Sequence, residues 1–357
     1  MQSIKTKLKV NNKQKTILAK HAGVARHAYN WGLETCITEY ESNKKRLSAI
    51  TLHKRLVRQV KSENPWYYEV SKCAPQQALR DLERSFKNFF TIPKRGFPVF
   101  KKKGKKDSFY LEGSIKILKG NYIKLPRIGI VKTYEILPSV PIKNVTISKR
   151  ADNWYISFKY DWELAPLPPP KKRAVIGVDV GINTLATCSD GTTYANVKAY
   201  KQAKKRLSRY QRRVNKKEPG SKNRLKAVKR LAKAHKKVAD IRADTLHKIT
   251  TWLAKNHSTI VIEDLNVSGM LKNHKLASAI ADCGFYEFKR QLTYKCEWYG
   301  SQLVIAPRFY PSSQLCSHCE HQQKMPLNVR TYKCANCGFQ ADRDFNAAIN
   351  LENYVNK

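Results

Sequence analysis

From Ala174 to Val180 the chain reads Ala-Val-Ile-Gly-Val-Asp-Val, a near-continuous apolar segment with one carboxylate, Asp179, set inside it. A strand of that composition is buried on both faces, so it belongs in a sheet covered by helices rather than in a half-wet antiparallel sheet. The segments that follow fit an α/β arrangement. Asn183 to Cys188 and Thr192 to Ala195 read as the next two strands. Lys198 to Lys217 and Ser221 to Asn256 read as long helices broken at Glu218-Pro-Gly220. Thr259 to Ile262 is a further buried strand, Tyr286 to Tyr299 a helix and Gln302 to Ile305 a strand. A last helix is expected from about Asp344 to Tyr354.

Three acids stand out by their surroundings. Asp179 lies inside an apolar strand, Glu263 ends the apolar run Ile260-Val-Ile262, and Asp344 opens the final helix in Asp342-Arg-Asp-Phe-Asn-Ala-Ala348. A carboxylate in or just off a buried strand is costly unless it is paired, hydrogen-bonded or bound to a metal. Two strand carboxylates and one at a helix start can converge at one sheet edge and hold two Mg²⁺ ions, whose hard character suits oxygen ligands. Such a pair of ions activates water and stabilises the leaving oxygen of a phosphodiester. Taken singly, Asp179 also reads as a salt-bridged core acid and Asp344 as a helix N-cap. Asp342 competes with Asp344 for the ligand role, and Asp264 should face away from Glu263.

Cys316-Ser-His-Cys319 and Cys334-Ala-Asn-Cys337 form a C-x₂-C…C-x₂-C pattern with fourteen residues between the pairs. Four thiolates at that spacing favour a closed, structural Zn²⁺ site. His318 is read as a bystander. The remaining cysteines, Cys36, Cys73, Cys188, Cys283 and Cys296, are scattered and do not suggest a disulfide framework. This points to a reducing, intracellular setting. Neither a secretory h-region nor an apolar stretch of membrane-spanning length is seen, so no membrane partner is expected.

The N-terminal half follows a different logic. Residues 2 to 10 read as a strand and 13 to 94 as helical, with Ala78, Leu82, Phe86, Phe89 and Phe90 on one helical face. Short β segments follow: Ile115-Lys-Ile-Leu and Tyr122-Ile-Lys-Leu flank Lys119-Gly-Asn as a hairpin, and Val145-Thr-Ile and Trp154-Tyr-Ile-Ser-Phe form a second around Ala151 to Asn153. The first strand is expected to pair with this later sheet, with the helices inserted between them. Pro166-Leu-Pro-Pro-Pro170 marks the boundary, a linker over 166–172.

With 69 Lys and Arg against 27 Asp and Glu, the net charge is +42, and a polyanion is the natural relief for such self-repulsion. From Lys198 to Thr250 twenty basic residues face three acids, which leaves few opposite-charge neighbours one helical turn apart. Lys204, Lys205, Arg206, Arg209, Arg212 and Arg213 are therefore candidates to track a nucleic-acid backbone. Lys101, Lys102 and Lys103 add a flexible basic loop. The aromatics beside it, Phe97, Phe100, Phe109 and Tyr110, suit either base stacking or a core.

The succession Gly177-Val-Asp-Val-Gly-Ile-Asn-Thr-Leu-Ala186, Ile260-Val-Ile-Glu-Asp-Leu-Asn266, the four cysteines and Asp342-Arg-Asp-Phe-Asn-Ala-Ala-Ile-Asn350 resembles the TnpB family of transposons, relatives of the compact type V CRISPR nucleases. Tyr29-Asn-Trp-Gly-Leu33, Gln77-Ala-Leu-Arg-Asp-Leu82 and Pro98-Val-Phe-Lys-Lys-Lys103 resemble that family's leading region. The resemblance implies an α/β plus β-barrel chain. It would have an RNase H-like RuvC nuclease domain over 173–314 and 339–357 and a zinc ribbon over 315–338. A wedge-type β-barrel over 1–12 and 95–165 would carry an inserted helical recognition domain over 13–94. It further implies a bound guide RNA and cleavage of double-stranded target DNA beside a short adjacent motif. Asp179, Glu263 and Asp344 would be the Mg²⁺-binding catalytic acids, and the setting cytoplasmic and nucleoid-associated. The competing expectations are a strand-transferring transposase and a small type V CRISPR effector of the same lineage.

Overall fold

A computed structural model describes residues 2–160, 173–326 and 328–356; the proline-rich segment read as a linker lies outside the described residues. Two units divide the chain, residues 1–163 and 164–357.

In the first unit, β1 (Gln2–Lys9) leads into α1 (Asn12–Asn43). Asn11 starts this helix with a capping box, accepting from the Gln14 N–H while its own N–H donates to the Gln14 side chain. Leu18, Ala22, Ala25, Tyr29 and Leu33 recur every three to four residues on its buried face. α2 (Ala49–Arg55) runs through a π-helical turn (Leu56–Val60) into the short α3 (Lys61–Glu63), and α4 (Cys73–Thr91) packs back on α1. Gly32 permits that contact, because a Cβ there would stand 2.7 Å from a methyl of Leu79. The helical stretch expected over 13–94 is thus interrupted, at 44–48 and 64–72.

The strands β2 (Ser108–Glu112), β3 (Lys116–Leu118), β4 (Tyr122–Leu125), β5 (Gly129–Thr133), β6 (Asn144–Arg150) and β7 (Asn153–Tyr160) join β1 in one sheet of order β2-β6-β7-β1-β5-β4-β3. The expected hairpins form, β3 with β4 and β6 with β7, the latter turning through Ala151 at φ 55°. β1 pairs antiparallel with both β7 and β5, so the helices are inserted between one strand and the rest of its sheet.

The second unit centres on a five-stranded sheet of order β10-β9-β8-β11-β12. Its strands are β8 (Arg173–Asp179), β9 (Thr184–Cys188), β10 (Thr193–Ala195), β11 (His257–Glu263) and β12 (Gln302–Ala306). β8, β11 and β12 run parallel; β9 is antiparallel to β8, and β10 is antiparallel to β9. α5 (Ala199–Asn215) and α6 (Lys222–Asn256) connect β10 to β11. α7 (Val267–Met270), α8 (Ala277–Cys283) and α9 (Phe285–Tyr299) connect β11 to β12. β13 (Thr331–Lys333) and β14 (Gln340–Asp342) form a small hairpin that leads into α10 (Arg343–Asn353).

Side-chain alternation divides the central sheet into two buried faces. Ile176, Val178, Ile260 and Ile262 pack with residues of α6 and α9, whereas Val175, Val261 and Ala306 pack with Leu351 of α10. Among the described residues no helix is long and apolar enough to cross a membrane.

Candidate active site

The carboxylates are placed by register. Val175 and Val261 mark the α10 face of the sheet, so Gly177 and Asp179 on β8, and Glu263 on β11, fall on that face by alternation. In the parallel pairing Val261 is opposite Gly177 and Ile262 opposite Val178, which brings Glu263 beside Asp179 on the neighbouring strand. α10 crosses directly over Gly177, where a Cβ would lie 2.0 Å from the Ala348 carbonyl oxygen and 2.5 Å from the Glu352 nitrogen. No other residue fits there without moving the helix. Asp344 lies one turn before Ala348, about 6 Å along the helix. Asp179 lies two residues after Gly177, a similar step along the strand.

Electrostatics agree with that placement. The Asp179 carboxyl is pushed up to about 7, first by burial and then by the charges of Asp344 and Glu263, with Arg343 pulling the other way. Glu263 is also raised, by burial and then by Asp264. Asp264 is held below its usual range by hydrogen bonds from Lys289 and Arg308, each at 2.8 Å. Its carboxylate is thus committed elsewhere. Asp342 is committed too: its Oδ1 accepts from the Asp344 and Phe345 N–H groups at 2.9 and 3.0 Å and caps α10. The capping role falls to Asp342, and the charge of Asp344 lies near enough to raise Asp179. One oxygen of Asp344, Oδ1, also meets Arg343 at 3.3 Å and Arg330 at 3.6 Å. Three carboxylates near one another, one of them raised first by burial and then by its acidic neighbours, offer hard oxygen donors that fit divalent cations.

The four cysteines form a tighter set. The sulfurs of Cys316 and Cys337 are 3.7 Å apart and those of Cys319 and Cys334 3.6 Å apart, with all four within 4.8 Å of one another. That is far too long for disulfides and close to the ~3.8 Å edge of a tetrahedron with metal–sulfur bonds of about 2.3 Å. Among the described residues no other group of three or more possible ligands is drawn so close. His318 stays out of it, its ring stacked on Phe339.

Two residues that the sequence reading passed over tie the two clusters together. Asn346 of α10, wholly buried, donates to the Leu315 carbonyl at 2.7 Å and accepts from the Ser317 N–H at 3.0 Å, on either side of Cys316. Asn350 donates to the Ser312 and Leu315 carbonyls, both at 2.8 Å. Two asparagines four residues apart, among the apolar Ala347, Ala348 and Leu351 of the helix, were the available signal.

The basic candidates are scattered more widely. Lys204, Lys205, Arg206, Arg209, Arg212 and Arg213 are all exposed on α5, while Ala203, Leu207 and Val214 form its buried face. Lys101, Lys102 and Lys103 are also exposed, but the loop is less free than its composition suggests. Asn30 grips the Lys101 backbone in both directions, and the Lys101 ammonium sits 3.8 Å above the Tyr29 ring. Of the nearby aromatics Phe109 is core, whereas Phe97 and Phe100 are exposed.

The chain is similar to known proteins over nearly its whole length. Residues 155–274 match the OrfB_IS605 family, described as "Probable transposase"; residues 285–351 match the Cas12f1-like TNB domain. Residues 1–45 match a helix-turn-helix domain of the same OrfB_IS605 group, although here they form β1 and one continuous helix. A protein of Streptomyces pristinaespiralis named "Putative RNA-guided DNA endonuclease" is 36% identical over 98% of this chain and 89% of its own length. The similarly named InsQ of Escherichia coli is 34% identical over 98% and 91%. A solved complex of Cas12f1 with sgRNA and target DNA shares the fold, with a TM-score of 0.58, 14% identity and coverage of 96% of this chain and 83% of that one. With relatives this similar over nearly its whole length, the chain belongs to the TnpB family.

Proposed function

We propose that the chain is an RNA-guided endonuclease that cleaves double-stranded DNA beside a short adjacent motif, by two-metal hydrolysis at Asp179, Glu263 and Asp344. The observation that supports the site assignment is the passage of α10 over Gly177, with Asp344 and Glu263 near enough to Asp179 for their charges to raise it. The guide and target follow from the relatives, whose names describe RNA-guided DNA endonucleases.

The three carboxylates would hold Mg²⁺, which when bound supplies a water of lowered pKa and charge stabilisation for the leaving oxygen. The chain's own groups do the rest. Apolar strands would hold Asp179 and Glu263 on a rigid sheet edge, and α10 would bring Asp344 to them. Arg330 and Arg343, which pair with Asp344, would lie close to a phosphate bound at that carboxylate. Cys316, Cys319, Cys334 and Cys337 would hold a structural Zn²⁺. In this reading the second unit is a RuvC domain interrupted by a zinc ribbon over 315–338. The seven-stranded sheet of the first unit is the wedge barrel, and α1 to α4 are its inserted recognition domain. The exposed bases of α5 and Lys101 to Lys103 would follow nucleic-acid backbone.

The test is to purify the full chain, sequence the RNA that comes with it and supply matched duplex DNA with Mg²⁺. Cleavage of both strands is expected, with loss of at least ~10³-fold on Asp179→Ala and on replacing Mg²⁺ by EDTA. Joined strands formed without RNA would instead mark a transposase.

A further inference from the structure

The loop after β12, Pro307-Arg-Phe-Tyr-Pro311, displays a ring that the fold does not use. Phe309 is 91% exposed, the most exposed of the large hydrophobic side chains described. Its neighbours are held firmly. Arg308 bonds Asp264 at 2.8 Å, and the Asp264 N–H donates to the Ala306 carbonyl at 3.1 Å. On the other side the Tyr310 hydroxyl donates to the Asn350 carbonyl of α10 at 3.0 Å, and its ring packs edge-on against Tyr354 at 5.0 Å. The Tyr310 N–H closes a turn onto the Pro307 carbonyl at 2.9 Å. Prolines at both ends restrict the backbone further. Phe309 is therefore presented to solvent by a braced loop, not left there by a slack one.

Its position carries the meaning. Phe309 lies three residues beyond Ala306, whose partner in the sheet is Glu263. The same loop is anchored to α10, the helix that bears Asp344. The ring thus stands at the edge of the sheet that carries the acids. No acid occurs from Pro307 to Ser313, while Arg308 is part of the loop and Arg330 and Arg343 stand at Asp344. An aromatic face beside cationic groups suits a polyanion that also carries flat rings. Bases stack on such a face whatever their identity, and a pre-braced ring loses little freedom on binding.

We propose that Phe309 is a positioning residue: it stacks on an unpaired nucleobase of the DNA strand lying across Asp179, Glu263 and Asp344, and so sets which phosphodiester meets the acids. The inference rests on the reading of that site as a nuclease centre. It differs from that reading in what it requires, namely an unpaired base on this ring.

The experiment uses the full chain with its copurifying RNA and Ca²⁺ in place of Mg²⁺. The probe is a short single-stranded oligodeoxynucleotide carrying 2-aminopurine at successive positions. The wild type should quench fluorescence strongly at one position. Phe309→Ala should lose that quenching and bind about 10-fold more weakly, Phe309→Trp should restore both, and neither should change the melting temperature. In Mg²⁺, Phe309→Ala should raise KM about 10-fold and blur the cut position, with kcat less affected. Equal quenching by wild type and Phe309→Ala, or rescue failing with Trp, overturns the proposal whether or not the protein cuts. A wild type that quenches but never cuts retains the stacking ring and overturns the nuclease reading.

Discussion

At the scale of single residues, charges placed where water is scarce produce measurable consequences. Asp179 carries a proton to about pH 7 because burial and two neighbouring acids disfavour its anion. Asp179→Asn should therefore abolish cleavage yet raise the melting temperature of the metal-free protein, by about 2–4 °C for each kcal/mol of repulsion relieved. Calorimetry in EDTA would show this, and an unchanged or lower value would contradict it. Lys295 is the opposite case. It is buried, and its ammonium donates to the His247 carbonyl and to Thr250 and Thr251 at 2.7–2.9 Å, with Gln291 at 3.4 Å. Burial lowers its pKa to about 8, with Glu287 opposing. Above that pH the folded chain gives up the proton, while the unfolded chain keeps it to about 10.4. The unfolded state then binds more protons, so this lysine's contribution to stability rises with pH between those values and is flat below them. A melting profile from pH 7 to 10 should lose that rising component in Lys295→Met. The same variant should be less stable at pH 7, by about 1–3 kcal/mol, because the surrounding oxygens lose their donor.

At the scale of elements, the contact that matters most is a helix laid on a strand with no side chain between. Gly177→Ala sets a methyl against backbone that cannot rotate away. It should cost about 3 kcal/mol or more and remove cleavage by lifting Asp344 from Asp179; thermal melts and cleavage assays together check both parts. Much of this level was legible in the sequence. The apolar runs at 174–180 and 259–262 gave strands within a residue or two, and acids interrupting them drew attention to Asp179 and Glu263. Other features had no periodic signature. β13 and β14 are three residues each, too short to alternate visibly. α7 and α8 lie in a stretch, 267–283, whose mixed composition hides four- and seven-residue helices. Polar partners such as Asp282, which accepts from the Tyr200 and Lys201 N–H groups at the start of α5 and pairs with Arg242 at 2.9 Å, look in sequence like any solvated helical face. Only folding across forty or eighty residues gives them partners.

At the scale of the whole molecule, the excess of +42 is a statement about salt. Affinity for nucleic acid should fall steeply with ionic strength. Replacing Lys204, Lys205, Arg206, Arg209, Arg212 and Arg213 by Gln should reduce the slope of log K against log salt by about 4–5 if all six meet phosphates. A slope that stays put would remove α5 from the binding surface.

The cysteine cluster is joined to the acid edge without slack. β14 ends at Asp342, which caps the very helix that begins with Arg343 and Asp344, and Asn346 bonds the backbone on both sides of Cys316. On the proposed zinc assignment, oxidising those thiols or withholding zinc should loosen the start of α10 and weaken cleavage more than nucleic-acid binding. Such a protein would still occupy its target without cutting it, which a binding assay run beside a cleavage assay after zinc removal would detect.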